Sequence, residues 1–163
     1  MSSQEPIGLL VAAIRRRIKQ AVGALVEDQS LSPQQFWMLV AVAETEGLAL
    51  GELARRCRMD SPTASRVIYT LTYRRLVRAN VDPQDRRCTR LALTPNGKSL
   101  ATRLLPIAEK VRGAVDKALT PAERAAVVSG LQKVLSNLEG LEDRERSSAA
   151  GARRKPQEQW RAS

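Results

Sequence analysis

Within the first 141 residues, apolar side chains return every three to four positions, and that period is lost only between Leu76 and Leu93. Such a chain must fold as helices packed on helices with one extended interruption. From Pro6 to about Glu27, Ile7, Leu10, Val11, Ile14, Ile18, Val22, Leu25 and Val26 form one face of a long amphipathic helix, with Arg15, Arg16, Arg17 and Lys19 on a solvated face. Ser32-Pro33-Gln34-Gln35 opens a second helix: Ser32 caps, Pro33 needs no N–H in the first turn, and Gln35 reaches back. Its stripe is Phe36, Leu39, Val40 and Ala43, and Gly47 supplies a left-handed stop.

A third helix of about two turns turns Leu50, Leu53, Ala54 and Cys57 inward. Asp60 or Ser61 then caps a fourth, with Pro62 in its first turn and Ala64, Val67, Ile68 and Leu71 buried. Two short helices across a tight turn make a helix-turn-helix. Leu76–Val81 and Cys88–Leu93 flank the turn-forming run Asp82-Pro83-Gln84-Asp85-Arg86-Arg87 and predict an antiparallel hairpin. Helix resumes at Thr94-Pro95, with Leu100, Leu104, Ile107, Val111, Val115 and Ala118 on one stripe. The capping box Thr120-Pro121-Ala122-Glu123 starts the last helix, which carries Val127, Val128, Leu131, Val134, Leu135, Leu138 and Leu141. Beyond Glu142 the charged, small-residue run 143–163 predicts a disordered tail, with Trp160 incidental.

The 163 residues suit one domain, and 3% aromatic content calls for a core of Leu, Val, Ile and Ala. Twenty-seven basic against 17 acidic residues give +10, which points to an acidic partner, nucleic acid before anionic membrane. The longest apolar run, Ile7–Ile14, is far short of the roughly 20 residues of a membrane span. Met-Ser-Ser-Gln-Glu-Pro lacks secretory-signal character, so a cytoplasmic location is expected. The absence of histidine, with only Cys57 and Cys88 as thiols, excludes a histidine-based triad and a Cys/His zinc cluster. With no nucleophile elbow, phosphate loop or clustered catalytic acids, neither an enzyme nor a cofactor or metal site is expected.

The order of these elements resembles the multiple-antibiotic-resistance regulator (MarR) family. Leu31-Ser32-Pro33-Gln34-Gln35-Phe36 resembles that family's second-helix opening, Glu52-Leu53-Ala54-Arg55-Arg56 its third helix, and Pro62-Thr63-Ala64-Ser65-Arg66 its recognition helix. Asp82-Pro83-Gln84-Asp85-Arg86-Arg87 followed by Leu93-Thr94-Pro95-Asn96-Gly97 resembles its wing and fifth-helix start. The likeness spans roughly residues 7–141. It implies a mainly α winged helix-turn-helix domain over 1–142, six helices with a β-hairpin wing, the reading head at about 31–94, and dimerisation helices at about 6–27 and 95–141. Two departures stand out. Arg75 occupies a position where the family usually has Gly, in a left-handed turn that costs a side chain of order 1 kcal/mol, and Ala79 and Asn80 follow Arg78 where a further Arg is common.

Between Leu50 and Arg90 stand ten Arg, no Lys and four acidic residues (Glu52, Asp60, Asp82, Asp85), a net +6 and more than half of the chain's excess. On a recognition helix, short polar groups let the backbone approach base edges, which selects Ser61, Thr63, Ser65 and Arg66. Arg66 forks to guanine or phosphate. Thr70 is expected at the phosphate backbone, and Tyr69 either there or partly in the core. The resemblance implies that Arg87 enters the minor groove with Asp85 orienting it, against a purely local Asp85–Arg87 ion pair as the alternative. Arg78, Arg86 and Arg90 are expected on phosphates.

The first and last helices carry stripes too broad for one reading head, so pairing across a two-fold axis and a pseudo-palindromic duplex operator are expected. The resemblance implies a regulator, more often a repressor, released by a small aromatic or anionic ligand. Cys57 reads as core packing, whereas Cys88, beside Arg86, Arg87 and Arg90, opens a redox-sensing alternative. A non-specific chromatin-type DNA binder shares the charge but needs no ordered recognition helix.

Overall fold

A computed structural model of the chain describes residues 5–82, 85 and 88–152, without the side chains of 145 and 147–152. It divides into two compact units, Met1–Val115 and Asp116–Ser163.

The first unit runs α1 (Ile7–Leu25), a one-turn 3₁₀ helix (Glu27–Gln29), α2 (Pro33–Glu44), α3 (Leu50–Arg56), α4 (Ser61–Tyr73), β1 (Val77–Val81), β2 (Thr89–Leu93) and most of α5 (Pro95–Asp116). The predicted capping box opens α2: the Gln35 N–H donates to Ser32 Oγ at 3.2 Å, and the Ser32 N–H to Gln35 Oε1 at 2.9 Å. Gly47 adopts φ 79, the left-handed conformation its position requires. α2 packs against α1, α3, α4 and β2. It therefore buries Met38, Ala41 and Val42 besides the expected Phe36, Leu39 and Val40. A single-stripe reading undercounts a helix enclosed on several sides.

The hairpin is antiparallel, in a register that pairs Val77 with Leu93, Ala79 with Leu91 and Val81 with Thr89. Val77, Leu91 and Leu93 face the core. The connector between α2 and α3 lies along the free edge of β2: the Gly47 N–H donates to the Leu91 carbonyl, and the Leu91 N–H to the Leu48 carbonyl, each at 3.0 Å. The hairpin is thereby anchored along its β2 edge to the α2–α3 connector.

The motif Thr94-Pro95-Asn96-Gly97 is shaped by the chain between α4 and β1. Thr94 Oγ1 donates to the Arg75 carbonyl at 2.6 Å and accepts the Gly97 N–H at 3.1 Å. Gly97 is buried so close to the Leu76 backbone that a Cβ there would fall 1.9 Å from the Leu76 carbonyl oxygen. Leu100, Ala101, Leu104, Ala108 and Val111 continue the buried face of α5, whereas Ala118, expected on that stripe, lies beyond the helix end.

The second unit is dominated by α6 (Pro121–Ala152). Its capping box forms as expected, with the Thr120 N–H on Glu123 Oε2 at 2.8 Å and the Glu123 N–H on Thr120 Oγ1 at 3.3 Å. Val127, Val128, Leu131, Leu135, Leu138 and Leu141 are all exposed on the single chain. The helix continues ten residues past Glu142, where the sequence predicts a disordered tail. The extension is rich in good helix formers, pairs Arg146 with Glu142 one turn back, and meets no proline before Pro156. Residues 153–163, including Trp160, lie outside the described residues. Among the described residues, no helix is long and apolar enough to cross a membrane.

Candidate nucleic-acid interface

α4 follows α3 through a tight turn in which Arg58 takes a left-handed φ of 50. Of the two candidate caps, Asp60 serves: its Oδ1 accepts the Thr63 N–H and its Oδ2 the Thr63 hydroxyl, each at 2.8 Å. These two bonds hold the Asp60 carboxyl below the usual aspartate range. Ala64, Val67, Ile68 and Leu71 are buried as predicted, so the opposite face points outward.

The expected contact residues divide on that outward face. Ser61, Ser65 and Arg66 are exposed. Thr63 and Thr70 are half-buried with their hydroxyls committed, Thr63 to the cap and Thr70 to the Arg66 carbonyl at 3.0 Å. Tyr69 stands 73% exposed, outside the core. Tyr73, not singled out from the sequence, is 81% exposed one turn further on. The signal was available, since Tyr73 is four residues from Tyr69 and off the buried stripe.

Among the described arginines between Leu50 and Arg90, three are engaged within the protein. Arg90, expected on phosphate, donates through Nε to Asp82 Oδ2 at 2.6 Å and through Nη1 to the Gly47 carbonyl at 3.0 Å. It ties the loop end of the hairpin to the α2–α3 connector. Asp82, nearly buried, is the partner that sequence reasoning passed over as turn chemistry. Arg74 donates to the carbonyls of Ser30 and Gln29, and Arg56 pairs with Glu44 at 2.7 Å. Arg55, Arg58, Arg66, Arg75 and Arg78 are exposed, as are Ala79 and Asn80 beside Arg78 on β1. Arg75 adopts φ 55, the left-handed state its place just before Leu76-Val77 predicts.

At the hairpin end, Asp85 is exposed and its carbonyl accepts the Cys88 N–H at 2.8 Å, while the Asp82 N–H donates to the Cys88 carbonyl at 2.9 Å. Cys88 is half-buried. Arg86 and Arg87, expected on phosphate and in the minor groove, lie outside the described residues, as do Pro83 and Gln84.

A second feature lies within the first unit. A cavity of about 550 Å³ is bounded by α1, the start of α2, the end of α3 and α5, with Trp37 and Ile18 as apolar wall and Arg15, Lys19, Arg56 and Arg112 as cations. Glu44 sits among them, hydrogen-bonded to Arg112 Nη1 at 2.6 Å and Arg56 Nη2 at 2.7 Å. The Arg112 contact above all lowers its carboxyl below the ordinary glutamate range. The Arg112 guanidinium also lies 5.7 Å from the Trp37 ring centre, a cation–π approach. Cys57 lines the same cavity half-buried, and burial pushes its thiol up, keeping it neutral. Among the described residues no group of three His, Cys, Asp or Glu side chains is placed to hold a metal ion.

Residues 29–87 match the sequence model of the MarR family. BpsR of Bordetella bronchiseptica, a protein whose DNA binding is regulated by 6-hydroxynicotinic acid, is 30% identical with a TM-score of 0.68, over 82% of this chain and 96% of that one. A MarR-family transcriptional regulator from Silicibacter pomeroyi is also 30% identical, with a TM-score of 0.62, over 78% and 86% of the two chains. The HTH-type transcriptional regulator YdcH of Bacillus subtilis is 28% identical over 134 residues, 80% of this chain and 90% of that one.

Proposed function

The chain belongs to the MarR family of winged helix-turn-helix transcription regulators, and from that premise we propose that it binds a pseudo-palindromic duplex operator as a homodimer. It represses from that site and leaves it when a small anionic aromatic compound enters the cavity beneath α2. Its activity is binding rather than catalysis. The observation that carries this reading is the outward face of α4: a helix held from behind by four buried apolar residues, bearing Ser61, Ser65, Arg66 and Tyr69 and flanked by exposed arginines.

The cavity suits its ligand chemically. A planar ring fits against Trp37, and a carboxylate competes with Glu44 for Arg56 and Arg112. Arg56 ends α3 and Arg112 belongs to α5, so a ligand that draws them into a new arrangement has unequal affinity for two placements of the reading head. That inequality is the requirement for coupling to DNA. BpsR, regulated by an aromatic acid, supports the same ligand class.

Fluorescence anisotropy of a labelled genomic fragment recovered with the protein tests the reading. Affinity should fall steeply with salt as phosphate-bound counterions are released. It should also fall with micromolar to millimolar hydroxylated aromatic acids, and Arg15→Ala or Lys19→Ala should blunt that response while sparing DNA binding. Equal affinity for the recovered fragment and for random duplex contradicts the operator. An undiminished acid response in both variants contradicts the cavity.

A further inference from the structure

The chain has two tyrosines, Tyr69 and Tyr73, and the fold leaves both 73–81% exposed on one side of one helix. The other described aromatics behave differently: Phe36 is fully buried, and Trp37 packs edge-on against it at 4.9 Å. Successive steps of four, three and four residues place Pro62, Arg66, Tyr69 and Tyr73 in a single ridge diametrically opposite Ala64, Val67, Ile68 and Leu71. The crest of the recognition helix therefore carries one guanidinium followed by two phenols. The short hydroxyls of Thr63 and Thr70 are turned to the helix itself.

Exposed aromatic rings gathered on one ridge mark an interaction surface. The surroundings identify its occupant. Arg55, Arg58, Arg66, Arg75 and Arg78 are all exposed on α3, α4, their turn and β1. That much like charge repels a second copy of the same face and attracts a polyanion. Arg66 and Tyr69 are three residues apart, about 4.5 Å along the axis, close to one base-pair step of about 3.4 Å. Tyr73 lies roughly 6 Å beyond Tyr69, past the helix turns that reach base edges and toward the wall of the groove.

We propose that this ridge sets operator preference: Tyr69 packs its ring on the C5-methyl of a thymine adjacent to the base pair contacted by Arg66, and Tyr73 donates its phenolic hydroxyl to a backbone phosphate. The proposal rests on the DNA-binding reading above. It assigns sequence preference to an apolar contact with thymine, a base the major groove distinguishes by its methyl group, and it adds Tyr73 to the interface.

The test replaces each half-site thymine in turn by deoxyuridine, which removes only the methyl. Wild type, Tyr69→Ala, Tyr69→Phe, Tyr73→Ala and Tyr73→Phe are measured by anisotropy on the fragment recovered with the wild-type protein and on random duplex. Thermal melting checks that these exposed positions leave folding intact. At one thymine position, wild type and Tyr69→Phe should lose about fourfold in affinity per methyl removed, while Tyr69→Ala should be indifferent to the replacement. Tyr73→Phe should weaken both duplexes alike and leave the slope of affinity against salt unchanged, because a neutral donor releases no counterion. If wild type prefers the recovered fragment yet tolerates deoxyuridine at every position, or if Tyr69→Ala keeps the full penalty, the thymine contact is overturned and DNA recognition stands. Full affinity of Tyr73→Phe for both duplexes overturns the phosphate contact. Absence of any preference in wild type overturns the ridge together with the operator.

Discussion

Arg58 and Arg75 hold left-handed backbone at the two ends of the recognition helix, where glycine would sit without strain. Both guanidiniums stand in the exposed basic surround of α4, where the proposed duplex contact would use them. Arg75→Gly is expected to raise stability by up to about 1 kcal/mol, the relieved strain less the entropy of the added glycine, and to lower affinity for duplex. Urea denaturation together with anisotropy checks both halves; a gain in stability with unchanged affinity removes Arg75 from the interface. Glu44 gives a second expectation. Its carboxyl titrates below its ordinary value because Arg112 and Arg56 bind the charged form. The contribution of that cluster is therefore complete above the unfolded glutamate value and is lost as pH falls through the depressed one. Stability of the wild type should decline on the acid side of pH 4.5 more steeply than that of Glu44→Gln, as measured by denaturation midpoints across pH 3–7.

Among the elements, α5 is fixed at its first turn by a glycine that admits the Leu76 carbonyl. Gly97→Ala forces the α5 backbone away from the Leu76 carbonyl just before β1, which no rotamer change can relieve, and should cost at least about 1–3 kcal/mol. A thermal midpoint equal to wild type contradicts the close approach. The capping boxes at Ser32 and Thr120 were legible in advance because their cause is local, whereas the Thr94-Pro95-Asn96-Gly97 motif and the left-handed turn at Arg75 were expected only from the family resemblance, since Thr94 bonds the Arg75 carbonyl, 19 positions away. The wing was legible only in part. The turn chemistry from Asp82 to Arg87 located the hairpin, but nothing in the flanking segments shows that Arg90 reaches the Gly47 carbonyl, 43 positions away, or that Leu91 pairs with Leu48. Arginine spacing is equally silent on which guanidiniums the fold consumes. Arg56, Arg74 and Arg90 resemble their exposed neighbours in sequence and differ only in what tertiary structure sets beside them. The end of α6 escaped for another reason: its last turns have helix-forming residues without an apolar stripe, so periodicity stops before the helix does.

For the molecule as a whole, the single chain leaves runs of apolar side chains exposed on two helices. Ile7, Leu10, Val11 and Ile14 are exposed on α1, and six Val and Leu residues are exposed along α6. In the proposed homodimer, pairing of two copies through such faces would cover them and present two recognition helices at once. Leu131→Arg combined with Leu138→Arg should shift the protein from dimer to monomer in sedimentation velocity and reduce operator affinity about 100-fold or more, since each chain then binds without its linked partner; a double variant that remains dimeric contradicts the assignment of the α6 stripe. The central claim, that this basic surface reads sequence rather than charge alone, is tested most directly by selecting bound duplexes from a random pool and sequencing them. The account predicts enrichment of an inverted repeat whose half-site centres lie about 10–10.5 base pairs apart. A bound pool with the same sequence composition as the input would contradict it.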